Sequence, residues 1–168
     1  MIITDNRIAF ISDTHFGSKN EDLYAVNKTL EIIDKNNIKT IFHLGDLVDG
    51  ILSYSTEGLK VIGAKEQADH FIYNYPKVSG IKTHCIKGNH DNSHMYNNNF
   101  DILKYIASKR KDIIYFQKAP SPIFINNVRI IMAHYFSNNI LYNAKGIDIA
   151  IQGIIINLVI LNYLILFS

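Results

Sequence analysis

Four short polar segments of this 168-residue chain each follow an apolar run that has the character of a β-strand. The preceding runs are short and rich in β-branched or aromatic residues, which is typical of buried strands. Ligands bind where strands end in an open α/β sheet, so we expect the four segments to meet at one site. They are Asp13-Thr14-His15, Gly45-Asp46-Leu47-Val48-Asp49, Gly88-Asn89-His90-Asp91 and Ala133-His134.

The rest of the pattern predicts an α/β domain. Apolar residues at helical spacing over Glu21–Asn36 lie between apolar runs at Arg7–Ile11 and Lys39–Leu44, which predicts a parallel βαβ unit. Asn126-Asn127 predicts a tight hairpin turn. The other predicted elements are helices over 63–75 and 97–109, and strands over 81–86, 113–116, 123–125, 128–132 and 147–151. Alternating β and α elements followed by hairpins indicate one layered α/β domain.

Composition narrows the function classes. The net charge of +2, from 17 basic and 15 acidic side chains, is too balanced to indicate a nucleic-acid surface by itself. A single cysteine excludes an internal disulfide. Residues 1–7 show no signal-peptide pattern, so we expect a cytoplasmic protein that needs no membrane.

The polar segments carry a mixed set of metal-ligand side chains. Asp13 and Asp46 offer carboxylate oxygens, His15 and His134 offer imidazole nitrogens, and Asn89 offers an amide oxygen. This mixture suits Mn, Fe or Zn and not Ca, which takes oxygen ligands only. A shared carboxylate can bridge two such ions, and a pair of ions can clamp a phosphate and activate water for attack.

Other polar residues near these segments have alternative interpretations. His90 follows a candidate ligand directly, so it is a candidate to protonate a leaving oxygen or stabilise charge on the phosphate. Asp91 would either orient that imidazole by a hydrogen bond or only stabilise a turn. His43 lies in an apolar run and is interpreted as a core histidine. His94 is interpreted as a solvated loop residue.

Taken in order and with their strand context, the four segments resemble the calcineurin-like metallophosphoesterase family, over about residues 7–153. The resemblance implies a four-layer αββα sandwich that hydrolyses phosphomonoesters or phosphodiesters. Residues 63–77 also resemble phage and prophage phosphoesterases, which makes nucleotides or nucleic acids candidate substrates. Tyr54, Tyr96 and Tyr135 are candidates to stack a nucleobase, with half-buried packing as the alternative.

The same resemblance implies a role for individual residues. Asp46 would bridge two divalent metal ions, His90 would be the catalytic imidazole, and Asp49 would support the site. The metal ligands that the resemblance implies are Asp13, His15, Asp46, Asn89 and His134.

The chain departs from the family pattern near its end. The family closes its site with Gly-His-x-His after a strand, but here Gly153 is followed by Ile154-Ile155-Ile156. We therefore expect an incomplete metallophosphoesterase domain over 1–153 and an aberrant apolar tail over 154–168. The loss of two histidine ligands would impair hydrolysis. The alternative is an inactive remnant or binding module that keeps the fold.

Three interpretations of the tail stay open. A frameshift near Gln152 is compatible with the genetic code. Residues 152–156 can be encoded as CAG GGC ATH ATC ATH, where H is A, C or T, and reading these bases from the third base of the first codon gives Gly-His-x-His. A membrane tail would use residues 149–167, which are nearly long enough to span but lack flanking basic residues. A natural short variant would pack the tail as a core strand or helix. Missing downstream strands would leave an apolar sheet edge and low solubility.

Overall fold

The computed structural model describes residues 2–3, 5, 7–51, 56–117, 122–125, 127–137, 146–153 and 158–162. Its helices are α1 (Leu23–Lys35), α2 (Ala64–Asn74), α3 (Asn89–Asn98) and α4 (Ile102–Lys109). Its strands are β1 (Ile2–Ile3), β2 (Arg7–Ile11), β3 (Thr40–His43), β4 (Lys82–Cys85), β5 (Ile113–Tyr115), β6 (Ile123–Ile125), β7 (Val128–Ala133), β8 (Ile149–Gln152) and β9 (Leu158–Asn162).

The strands form two sheets. The first sheet has the order β5-β4-β3-β2-β9, and the second has the order β1-β6-β7-β8. Strands β2, β3, β4 and β5 are parallel to one another, and α1 connects β2 to β3. The predicted parallel βαβ unit is therefore confirmed. The predicted hairpin is confirmed by the antiparallel pairing of β6 with β7, where Ile125 lies opposite Val128.

Each face of the first sheet is buried by a different layer, because successive side chains of a strand point to opposite faces. Ala9 and Ile11 of β2 pack in one apolar cluster with residues of α1, α2 and α4. Ile8 and Phe10 pack in a second cluster with residues of β6, β7 and β8. The predicted α/β class is confirmed, and the described residues supply a helical layer and two stacked sheets. A third, smaller apolar cluster contains Ile131, Ala133 and Phe136.

The segment after β4 differs from the prediction. The sequence predicts a single helix over 97–109, but the structure has α3 from Asn89 to Asn98 and then a separate α4. Asn99 divides them in a left-handed conformation, with φ of 51°. The sequence signal for α3 is weak because the helix is almost entirely polar, so it has no apolar periodicity. Its inward face buries Ser93 and His94 instead.

The tail is described only in part. Residues 154–157 and 163–168, including Ile154-Ile155-Ile156, lie outside the described residues. The backbone of Leu158–Asn162 forms β9, which pairs antiparallel with the whole of β2. None of the described helices has the length and apolar character needed to cross a bilayer. The proposed frameshift and the domain boundary at residue 153 stay predictions.

His43 makes the folded chain sensitive to acid. The side chain is fully buried in β3, as predicted, and its Nε2 lies 2.9 Å from the Thr14 hydroxyl oxygen. Burial lowers the pKa of His43 from 6.5 to about 3. Below about pH 6.5 the unfolded chain therefore binds a proton that the folded chain does not, so the free energy of unfolding decreases as the pH is lowered.

We expect that lowering the pH from 7 to 5 costs about 2 kcal/mol of unfolding free energy through His43 alone. His43→Gln keeps a polar group beside Thr14 and removes the titration, so its stability should depend less on pH by that amount. Urea denaturation of both proteins at pH 7 and pH 5 measures the difference. Equal pH dependence in the two proteins would contradict this assignment.

Candidate metal centre

The loops that follow β2 and β3 are joined side by side by backbone hydrogen bonds. The N–H of Asp13 donates to Gly45 O at 3.1 Å, and the N–H of His15 donates to Asp46 O at 3.1 Å. The N–H of Phe16 continues this ladder, so the parallel pairing of the two strands extends into the loops. The ladder places Asp13, His15 and Asp46 next to one another, as the sequence predicts.

The same three residues have strained backbones. Asp13, His15 and Asp46 have φ angles of 57°, 41° and 55°. These angles lie in the left-handed region of the backbone, which residues other than glycine rarely adopt. Each such residue costs of order 1–3 kcal/mol, and such conformations are retained where the surroundings over-determine them, often at functional sites. The inter-loop ladder supplies that constraint here.

One carboxylate lies at the centre of the cluster. Asp46 is buried, and its Oδ2 lies 3.1 Å from His134 Nε2, 3.9 Å from His15 Nε2 and 4.0 Å from His90 Nε2. Its Oδ1 accepts the backbone N–H of His90 at 2.9 Å. Two groups of ligand atoms, each within 4.8 Å of one another, meet at this carboxylate. They are His15, Asp46 and His90, and Asp13, Asp46 and His134.

Backbone carbonyls fix two of the imidazoles. His134 follows β7, and its Nδ1 lies 2.9 Å from Leu44 O, so Nδ1 carries the proton and Nε2 points at Asp46. His90 Nδ1 donates in the same way to the backbone O of Asp49. Both rings therefore present an unprotonated Nε2 to the cluster when they are neutral. This is the arrangement by which a second partner orients a metal-binding histidine.

Asp91 holds the backbone of the site and not the imidazole of His90. Its buried carboxylate lies among backbone N–H donors, and no hydrogen bond joins it to the His90 ring within the described residues. The turn-stabilising alternative is therefore the one that the structure favours. Burial raises the pKa of Asp91 to about 6, against the opposing effect of these donors, so the group is ionised at neutral pH. The donors are the N–H groups of Asp46 (2.8 Å), Leu47 (3.0 Å), Val48 (3.1 Å) and Gly88 (2.9 Å).

Asn89 lies at the rim of the cluster. It is the first residue of α3 and is exposed to solvent. The described contacts do not join its amide to Asp46. Asn89 and His134 instead line one cavity of about 410 Å³, so the amide lies on the His134 side of the cluster.

A buried polar network behind the cluster was not predicted from the sequence. Gln67 of α2 is fully buried, and its Oε1 accepts the N–H of Gly50 at 2.9 Å and lies 3.1 Å from His94 Nε2. Its Nε2 donates to Val61 O at 2.9 Å. The interpretation of His94 as a solvated loop residue is wrong, since the side chain is fully buried in α3. This network fixes the chain directly after Asp49.

The acidic and basic groups of the cluster favour each other's charged forms. Burial raises the pKa of Asp13, but the nearby His15 imidazole and Ser12 hydroxyl outweigh it, so the pKa lies below the usual value. Burial lowers the pKa of His15 and of His134, but carboxylates nearby, above all Asp13 for His15 and Asp46 for His134, raise both above 6.5. The Asp13 carboxylate and the two imidazoles therefore stabilise opposite charges in one another, and a bound cation would supply the positive charge in place of the imidazoles.

Close backbone contact at Gly88 gives a testable consequence. A Cβ at this position would overlap Oδ1 and the backbone N of Asp46. We expect Gly88→Ala to displace Asp46, costing about 1–3 kcal/mol of unfolding free energy and lowering metal affinity. Gly58→Ala is the matched control, because a Cβ at Gly58 meets nothing within 4 Å. Thermal unfolding and metal titration of both variants test this, and equal behaviour would contradict it.

Comparison with known protein families agrees with this geometry. The family model for calcineurin-like phosphoesterases matches residues 6–155, which include every residue of the cluster. No curated protein matches the chain.

Proposed function

The chain belongs to the calcineurin-like phosphoesterase family, and from this premise we propose that the Asp46 cluster is its hydrolytic site for phosphomonoesters or phosphodiesters. The observation that carries the proposal is the meeting of two candidate ligand groups at one buried carboxylate. A shared carboxylate is the arrangement that a two-ion site requires.

The side chains of the cluster fit divalent metal ions. Ligand atoms that bind one ion at about 2.0–2.2 Å lie about 3–4 Å from one another, and the Asp46–imidazole distances of 3.1 to 4.0 Å agree with this. We propose two ions, with Asp13, His15 and Asp46 on the first and Asp46, Asn89 and His134 on the second. This division differs from the groups defined by distance, which join His15 to His90 and Asp13 to His134. Carboxylate with imidazole favours Mn, Fe or Zn. When bound, such ions would lower the pKa of water and polarise the phosphate.

His90 is the proposed catalytic imidazole. The carbonyl of Asp49 holds the proton on Nδ1, so only Nε2 is available to the substrate. In the protonated ring, Nε2–H would donate to the leaving oxygen or to a charged phosphate oxygen. His90 also belongs to one of the two candidate ligand groups, so direct binding of an ion is the competing role.

We further propose that this chain hydrolyses its substrate more slowly than a chain with the complete Gly-His-x-His motif would. Gly153 lies against the Leu44 carbonyl, where an added Cβ would be 2.5 Å from that oxygen, and the same carbonyl accepts the Nδ1–H of His134, so Gly153 lies beside the cluster. The family pattern has histidines at positions 154 and 156, and this chain has isoleucines. The gene sequence beyond the codon for Gln152 tests the frameshift separately.

A metal titration with a hydrolysis assay tests the proposed function. We expect Mn²⁺ to bind to the purified chain and to support slow hydrolysis of bis(4-nitrophenyl) phosphate. The double variant Ile154→His, Ile156→His should raise metal affinity and the rate of hydrolysis by at least about tenfold. Residues that only support a metal ligand already change metal affinity by about 10–100-fold. Ile32→His on the exposed face of α1 is the control for non-specific chelation.

The opposite results define the alternative. One weak ion or none, without hydrolysis by either the original chain or the double variant, would indicate a non-catalytic remnant that keeps the fold. Full activity of the original chain, with no gain in the double variant, would contradict the proposed impairment.

A further inference from the structure

We propose that the cavity beside Asn89 and His134 is a nucleobase subsite, so that the substrate is a nucleoside phosphate ester. We call it the β4–β7 cavity, because it lies between the residues that follow β4 and those that follow β7. The inference rests on the proposed function, since it assigns a place to the rest of a substrate whose phosphate lies at Asp46.

The position of the cavity supports this assignment. Asn89 and His134 belong both to the cluster of proposed ligands and to the wall of the β4–β7 cavity. A phosphate held at the cluster can therefore extend one ester substituent into the cavity directly. The volume of about 410 Å³ is within the range of sites that bind small molecules.

Charge distinguishes this cavity from the other one beside the cluster. The other cavity, of about 490 Å³, is lined by the carboxylates of Asp13, Asp22 and Asp49. No carboxylate lines the described wall of the β4–β7 cavity, where the ammonium of Lys87 lies 3.0 Å from Asp101. A phosphate ester carrying a neutral heterocycle is thus better accommodated there than in the cavity that three carboxylates line.

The side chains on the wall suit a planar heterocycle. Tyr135 directly follows His134 and is 65% exposed, so its ring is available for stacking. The ring of Tyr115 is less available, because the Lys87 ammonium lies 5.6 Å from its centroid. Asn92 and Gln117 add amides with both donors and acceptors. An aromatic face combined with amides is the usual means of binding an unstacked base.

Binding measurements test the inference. The Mn²⁺-loaded chain is titrated calorimetrically with adenosine 5′-monophosphate and with methyl phosphate, which lacks the base. Stacking on an aromatic ring should make the nucleotide bind at least about tenfold more tightly. Tyr135→Ala should remove this difference and leave methyl phosphate binding unchanged, whereas Tyr135→Phe should retain it. Tyr73→Ala, at an 89% exposed tyrosine of α2 that lines neither cavity, is the matched control.

The outcomes separate this inference from the proposed function. Hydrolysis of bis(4-nitrophenyl) phosphate without any preference for the nucleotide would overturn the subsite and support the phosphoesterase. Binding of adenosine alone that Tyr135→Ala abolishes, detected by saturation-transfer NMR, would support the subsite even without hydrolysis. Tighter binding of a tetranucleotide than of the mononucleotide would support a subsite for a base within a nucleic-acid chain. Equal binding of the two would support a subsite for a free nucleotide. Binding of none of these probes would contradict both proposals.

Discussion

Asp46→Asn is expected to lower metal affinity by more than about 100-fold and to remove detectable phosphoesterase activity. Loss of a residue that only supports a ligand costs about 10–100-fold in metal affinity, and Asp46 is proposed as a direct ligand of both ions. Its Oδ2 is the atom that His15, His90 and His134 surround. Asparagine keeps an oxygen that can accept the His90 N–H, so the fold should persist.

Calorimetric Mn²⁺ titration and hydrolysis of a chromogenic phosphodiester measure this effect. Asp34→Asn is the matched control, because Asp34 is an exposed residue of α1 that pairs with Lys39 at 3.5 Å, away from the cluster. Circular dichroism of both variants reports whether the fold is intact. A folded Asp46→Asn variant that binds two ions as tightly as the original chain would rule out the proposed centre.

Asp91→Asn is expected to cost about 1–3 kcal/mol of unfolding free energy, because the loss of two hydrogen bonds outweighs the gain from burying a neutral group in place of a carboxylate whose pKa is raised to about 6. The carboxylate accepts two backbone N–H groups at each oxygen. An asparagine retains one acceptor oxygen and turns an NH₂ group towards two buried N–H donors. Each buried donor left unsatisfied costs about 1–3 kcal/mol.

Urea denaturation at pH 7.5 without metal measures this loss, since Asp91 is ionised at that pH. Asp22→Asn is the control at another helix N-terminus, where the carboxylate accepts one exposed N–H, that of Ala25, at 2.8 Å. Asparagine caps helices as well as aspartate does, so this variant should unfold like the original chain. Equal stability of the Asp91 and Asp22 variants would show that the Asp91 carboxylate does not stabilise the loop that follows β3.

Much of the candidate site was predictable because its residues follow strands. The apolar runs of β2, β3, β4 and β7 have clear strand patterns, and parallel strands end at a common edge. Asp13, His15 and Asp46 could therefore be placed together from local patterns alone, whereas His134 follows β7 of the second sheet and reaches the cluster because the two sheets stack. Asn89 was placed on the same side, but the structure leaves its amide at the rim.

The sequence by itself determined the strand order of the βαβ unit, the identity of the clustered side chains and the α/β class, because strand and helix periodicities are local properties of the chain. The tertiary structure decided what Asp91, Gln67 and His94 do. These side chains bond to backbone groups that are distant in sequence, and no local pattern records such a partner. The structure also paired β9 with β2, since an unpaired strand edge accepts any extended segment that can reach it.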